Sequence, residues 1–300
     1  MDAVTGAFGY TGAAIARRLI AGGRRVRTLT GHPNRQSKFS SVIEIAPLDF
    51  ANGDELRQSL SGIDTLYNTY WVRFPHGGQT FEGAVANSRA LFEAARDAGV
   101  RRIVHISIAN PSLDSPLGYF RGKAQVEEAL RETSVSHAIL RPTVVFGPGD
   151  ILINNIAWFL RRFPVFAVPD VGEARLQPVF VEDVAKLAVC AAGSSENIIE
   201  DAVGPETFAF ADLARLIART VNSSARIIRM KPALLKPILW ALGKLTGDVV
   251  LTGEEIAGLA ANLLVSARPA LGETPISDWL AANANKVGQN YASELRRHYR

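Results

Sequence analysis

Cysteine is almost missing from this sequence: among 300 residues only Cys190 carries a thiol. One cysteine closes no internal disulfide, so a packed core must hold the chain together, and a reducing compartment, the cytoplasm, is the expected location. Cys190 lies in the apolar run 187–192, which predicts a small buried thiol rather than a nucleophile. The start of the sequence has no basic segment followed by an apolar one, so no secretory signal is expected there. The longest apolar stretch, 232–245, is interrupted by Lys236 and Lys244 and is too short to span a bilayer. A large excess of one charge is also missing. The net charge is +4, and the basic residues are scattered, with doublets such as Arg17-Arg18 and Arg101-Arg102 that read as solvated faces rather than a nucleic-acid footprint. No His, Cys, Asp and Glu grouping has metal-ligand spacing, and no Gly-x-Ser-x-Gly elbow or Ser/His/Asp arrangement is present.

What remains is ample apolar material, 47% of the chain, in an ordered alternation. Short apolar runs at 3–5, 25–30, 42–45, 65–68, 102–107 and 137–141 predict strands. Helical patterns at 10–21, 54–60, 81–98 and 118–131 lie between them. Strands alternating with helices at this spacing imply βαβ units and a parallel sheet covered on both faces. After Gly147-Pro148-Gly149 the pattern loosens, with a helix from about 151 and another at 181–192, and from Gly204-Pro205 onward it is mostly helical. The expected architecture is α/β: a Rossmann doubly wound parallel sheet over 1–204, with a smaller, mostly helical C-terminal lobe over 205–300 covering the substrate.

The sharpest motif is Thr5-Gly6-Ala7-Phe8-Gly9-Tyr10-Thr11-Gly12, with three glycines at every third position between the first strand and the first helix. Such spacing permits a tight turn, a close backbone approach to a diphosphate and close helix–sheet packing. The helix N-terminus then faces the phosphates with free amides and the positive end of its dipole. Gly6, Phe8, Gly9, Tyr10, Thr11 and Gly12 are therefore candidate cofactor contacts. The end of the second strand reads Thr30-Gly31-His32-Pro33-Asn34-Arg35 and lacks the carboxylate that would bind both ribose hydroxyls. Gly31, His32 and Arg35 join the list, and with a basic group to pair with a 2′-phosphate NADP(H) is favoured, NAD(H) being the alternative.

Several segments together resemble the extended and atypical short-chain dehydrogenase/reductases. They are Thr-Gly-x-x-Gly-x-x-Gly itself, Leu48-Asp49-Phe50, Gly62-Ile63-Asp64-Thr65-Leu66, Asn87 in its helix, Tyr119 with Lys123, Arg141-Pro142-Thr143 and Gln177-Pro178-Val179. The resemblance covers residues 3 to about 205 and is nearest to NmrA-like proteins and to relatives of the nucleotide-binding accessory subunit of respiratory complex I. It implies that Asp49 bonds the adenine amino group, with capping of the next helix as the rival role. It also places Phe50, Asn68, Thr69, Tyr70 and Lys123 about the cofactor. It further implies acid–base work by Tyr119, four residues before Lys123 on one helix face, with Ser107 orienting the substrate oxygen. A free phenol titrates near about 10, and a neighbouring ammonium lowers that value.

Two features depart from the resembled pattern. The Ser107-to-Tyr119 segment is short for sugar-nucleotide enzymes, and bulky Tyr70 and Trp71 follow the fourth strand where small residues are usual. Tyr67, Tyr70, Trp71, Phe74, His76, Phe146 and Trp158 are either lining for an apolar substrate or ordinary packing. His105 alternates with apolar neighbours and reads as a core histidine. The functional expectation is an NAD(P)-dependent oxidoreductase acting on a small-to-medium apolar carbonyl or alcohol. The alternatives are a non-catalytic NADP(H)-binding redox sensor or assembly component, and a sugar-nucleotide epimerase or dehydratase. Partners are expected to be a small-molecule substrate and no nucleic acid. The basic, amphipathic segment 231–240 reads as a lobe helix or a membrane-surface contact.

Overall fold

The computed structural model describes residues 1–32 and 41–298. The chain forms two compact units, one of residues 1–142 and 181–202, the other of 143–180 and 203–300. The sequence-based boundary after residue 204 stands beside three passages of the chain between units, at 142–143, 180–181 and 202–203.

In chain order the elements are β1 (Asp2–Thr5), α1 (Tyr10–Ala21), β2 (Val26–Thr30), β3 (Glu44–Pro47), α2 (Gly53–Ser59), β4 (Thr65–Asn68), α3 (Phe81–Asp97), β5 (Arg102–Ile106), α4 (Gly118–Glu132) and β6 (Ser136–Leu140). There follow β7 (Val145–Phe146), α5 (Leu152–Arg162), β8 (Val165–Pro169), β9 (Arg175–Leu176), β10 (Val179–Phe180), α6 (Val181–Ala192) and β11 (Ile198–Glu200). The tail holds β12 (Phe208–Ala209), α7 (Phe210–Thr220), β13 (Arg226–Met230), α8 (Pro232–Thr246), α9 (Gly253–Ala260), α10 (Ile276–Ala282) and α11 (Glu294–His298).

The first unit is a seven-stranded sheet in the order β11-β6-β5-β4-β1-β2-β3. Every pairing in it is parallel. The order reverses between β1 and β4, so the turns leaving these two strands diverge and open a crevice at their carboxyl ends. The strands alternate between two covered faces. Ala3, Leu66, Ile103 and Ile139 pack with Leu56, Leu91, Phe92, Val126 and Leu130 of α2, α3 and α4 and with Leu60, which ends α2. On the other side α1 lies against α6, burying Ala14, Ile15 and Leu19 on one helix and Val184, Ala185 and Ala188 on the other. Arg102 is fully buried in β5, where each nitrogen of its guanidinium finds an acceptor. It donates to Ala191 O at 2.9 Å, Ser136 Oγ at 2.5 Å and Glu196 O at 2.8 Å.

Two expectations need correction. The third strand falls at 44–47 rather than 42–45, because the edge register pairs Arg27 with Glu44 and leaves Val42 exposed. Cys190 is exposed rather than buried: α6 turns its alanines to the sheet, and the thiol points away from them.

The second unit packs α5, α7 and α10 around Phe146, Ile153, Ile156, Leu160, Leu213, Ile217 and Leu280. Its tail is helical with two strands among the helices, and β13 runs parallel to β8. Among the described residues no helix is long and apolar enough to cross a membrane.

Candidate functional site

The glycine turn sits at the carboxyl end of β1, beside β4. Gly6 leaves the strand at φ +65°, a conformation that side chains with a Cβ resist. Gly9 N then donates to Gly6 O at 2.7 Å. A Cβ on Gly12 would stand 2.3 Å from that same oxygen, so only glycine lets α1 approach the turn this closely. The turn is tied down by threonines on β1 and β2 and by Thr69 just after β4. Ala7 N donates to Thr28 Oγ1 at 3.1 Å, and Thr69 N donates to Thr5 Oγ1 at 2.7 Å. Thr69 Oγ1 donates to Thr5 O at 2.6 Å, and Thr5 Oγ1 donates to Asn68 Oδ1 at 3.1 Å. Helix α1 begins at Tyr10, its N-cap Gly9 supplies no side-chain bond and its first turn holds no acidic residue, so its positive end is not neutralised from within. The backbone cradle and the helix end fit a dinucleotide diphosphate. Phe8, Gly9, Tyr10 and Thr11 are half-buried around it, and Gly12 is buried.

The other expected cofactor residues are spread along the same sheet edge. Gly31 and His32 are exposed after β2, where His32 N donates to Thr30 Oγ1 at 3.0 Å, while Arg35 lies outside the described residues. Asp49 is exposed, and its carboxylate accepts from Ala51 N at 2.9 Å. The capping role weighed for Asp49 falls instead to Asn52, which accepts from Glu55 N. Phe50 packs on Tyr70 with ring centroids 4.7 Å apart, and Tyr70 Oη accepts from Asn87 Nδ2 at 2.9 Å. Burial raises the Tyr70 phenol above its usual range, and the Asn87 bond opposes this. Asn68 is fully buried, and its amide works inside the fold. It takes the Thr5 hydroxyl and the Tyr70 N–H on Oδ1 and bonds His105 Nδ1 through Nδ2 at 3.1 Å. His105 is a core residue whose imidazole is held neutral by burial and, secondarily, by the nearby Lys123 ammonium.

Tyr119 and Lys123 share one face of α4, and Trp71 covers both. The Tyr119 ring meets Trp71 edge-on at 5.8 Å and Phe81 at 5.9 Å. The Trp71 indole stacks on Phe81 at 6.0 Å, and the Lys123 ammonium sits 4.8 Å from the indole centroid. Gly122 makes room for this: a Cβ there would lie 2.8 Å from Trp71 Cη2. Lys123 is 3% exposed and donates to Ile106 O at 2.9 Å. Burial brings its pKa down to about 7, against the pull of the Glu127 carboxylate. Ser107, the third expected member, donates its hydroxyl to Glu127 Oε1 at 2.5 Å. That carboxylate is itself gripped by Arg141, at 2.9 Å and 2.5 Å on its two oxygens.

Thr28, Glu127 and Gly122 thus enter the site without having been singled out in the sequence, and Thr5, which opens the glycine motif, does so in a role the motif did not assign. Glu127 was findable, since it lies one helical turn beyond Lys123 on the same face. The candidate substrate aromatics divide between the units. Tyr67, Tyr70, Trp71, Phe74 and His76 belong to the first, Tyr67 being core, while Phe146 and Trp158 belong to the second, where Phe146 is fully buried against Phe180 and Trp279.

Comparison with known proteins gives the family and agrees with the fold. A family model described as NAD dependent epimerase/dehydratase family matches residues 3–203. The chain is 25% identical over 239 residues to NADH dehydrogenase [ubiquinone] 1 alpha subcomplex subunit 9, mitochondrial, of Arabidopsis thaliana, covering 76% of this chain and 59% of that one. It is 27% identical over 237 residues to a ceramide reductase of Caulobacter vibrioides, covering 76% and 73%. It spans about half the length of the mitochondrial subunits it matches. Among solved structures, an NADPH-dependent quinone oxidoreductase of Escherichia coli complexed with NADPH superposes with a TM-score of 0.76 at 18% identity, covering 95% of this chain and 99% of that one, a likeness of fold.

Proposed function

Because the chain belongs to the NAD dependent epimerase/dehydratase family, we propose that its first unit binds NADP(H) and reduces an apolar carbonyl compound. The observation that carries the reading is the Gly6–Gly12 turn, whose backbone admits a diphosphate where side chains would exclude it. Bound there, a reduced nicotinamide would supply hydride. Tyr119 gives its phenolic proton to the substrate oxygen, and Lys123, one helical turn away, stabilises the phenolate left behind. Ser107 reaches a substrate oxygen only by releasing Glu127. The preference for NADP(H) over NAD(H) rests on the missing carboxylate after β2.

A second reading is favoured by the Trp71 indole over Lys123: a cofactor-binding protein without turnover, acting as a redox sensor or a component of a larger assembly. One experiment separates the two. NADPH and NADH binding is measured by calorimetry, and NADPH consumption against a carbonyl panel is followed for wild type and Tyr119→Phe. Tight NADPH binding with turnover that collapses in the variant supports the reductase. Binding without turnover selects the second reading, and no binding of either nucleotide by folded protein removes both.

A further inference from the structure

Among the described residues α8 is the least covered helix of the second unit. It buries only Leu235, while Leu234 is 62% exposed, Trp240 69% and Leu245 70%. Ile238 is exposed as well, and at 3.6 residues per turn Leu234, Ile238 and Leu245 form one outward apolar stripe. Round the same exposed side of the helix, on the flank away from that stripe, stand Lys244, Trp240 and Lys236, with the Lys244 ammonium 5.7 Å from the Trp240 ring centroid, and Lys231 precedes the first turn. From residue 226 to 247 the sequence carries Arg226, Arg229, Lys231, Lys236 and Lys244 and no acidic residue.

We propose that α8 docks this protein on the surface of an anionic lipid bilayer, lying in the interfacial plane. Apolar side chains of this size would enter the acyl boundary, the tryptophan would sit at headgroup level, and the lysines would reach the lipid phosphates with their stems laid along apolar surface. Fifteen residues make a rod about 22 Å long, too short and too charged to cross a bilayer but suited to lying on one. A second copy is a poor occupant, since two such faces would bring like charges together. A permanent protein interface is a poor one too, since lysine is depleted in such contacts. The inference does not depend on the cofactor.

The test is flotation of the full chain with vesicles of phosphatidylcholine alone and of phosphatidylcholine mixed with phosphatidylglycerol. The protein should float with the mixed vesicles only and come off as salt is raised. Lys236→Gln with Lys244→Gln should weaken partitioning about thirtyfold, about fivefold per lysine near an anionic surface. Brominated phosphatidylglycerol should quench tryptophan emission in wild type, and Trp240→Phe should remove that quenching. The substituted side chains are exposed, so unchanged melting temperatures confirm that the variants fold. Equal recovery with both vesicle types, recovery with neither, or a dimer in light scattering that shields Trp240 from acrylamide would overturn the proposal.

Discussion

Replacing Gly12 by alanine tests the core of this account. The new Cβ would stand 2.3 Å from Gly6 O, 2.9 Å from Gly6 C and 3.2 Å from Thr5 O, all backbone atoms that cannot rotate away. Ordinary contact begins near 3.4 Å, so the start of α1 must retreat from the turn by 3.4 − 2.3, or 1.1 Å. Overpacking of this kind costs about 1–3 kcal/mol. At about 2–4 °C per kcal/mol for a unit of this size, the melting temperature should fall by roughly 2–12 °C. The same retreat pulls the first-turn amides off the diphosphate, and a hydrogen bond to a charged group contributes about 1.5–3 kcal/mol. Losing one predicts at least a tenfold rise in the NADPH dissociation constant, about 1.4 kcal/mol. Gly53→Ala is the control, because a Cβ on Gly53, in the first turn of α2, meets nothing within 4 Å. Calorimetric titration and thermal melts of the three proteins decide the matter. If Gly12→Ala binds NADPH with wild-type affinity and melts with wild type, the close-approach argument is wrong.

Three further outcomes follow from the neighbourhood of α4. Glu127→Ala strands the half-buried Arg141 guanidinium and removes the acceptor of Ser107, so it should destabilise the protein by about 3–5 kcal/mol in urea titrations; a loss within experimental error would mean that Arg141 finds another partner. Lys123 has a folded-state pKa lowered to about 7, so above that pH the unfolded chain binds the extra proton. Stability should rise between about pH 7 and the unfolded value near 10.4, by about 1.4 kcal/mol per unit for this group, and Lys123→Met should flatten that rise. An identical pH profile in the variant would place the titration elsewhere. Gly122→Ala should push the Trp71 indole off Lys123, changing the near-ultraviolet dichroism and costing about 1–3 kcal/mol; an unchanged spectrum would show that the indole does not pack where α4 comes closest.

The alternation of strand and helix over residues 3–141 was legible because each unit of a parallel sheet writes its own period into the chain, whereas the short strands β7 to β10 within 145–180 carried no such period. The glycine turn was legible for the same reason: its demands fall within eight consecutive residues, and positions 6, 9 and 12 meet them locally. Tyr119 and Lys123 were placed on one face by helical geometry alone. The tertiary structure decided what those side chains touch. Ser107 goes to Glu127 because two segments twenty residues apart are brought together by the sheet and its covering helix. Trp71 lies over Lys123 because Gly122 leaves a gap fifty-one residues further on. Cys190 faces outward because α6 had to commit one side to the sheet, and both sides of its sequence are apolar enough to serve. Residues 143–180 join the C-terminal unit through pairings such as β8 with β13, across some sixty residues of sequence. Periodicity is a property of neighbours in the chain, whereas a contact depends on how whole elements are laid against one another, and only the assembled fold fixes that.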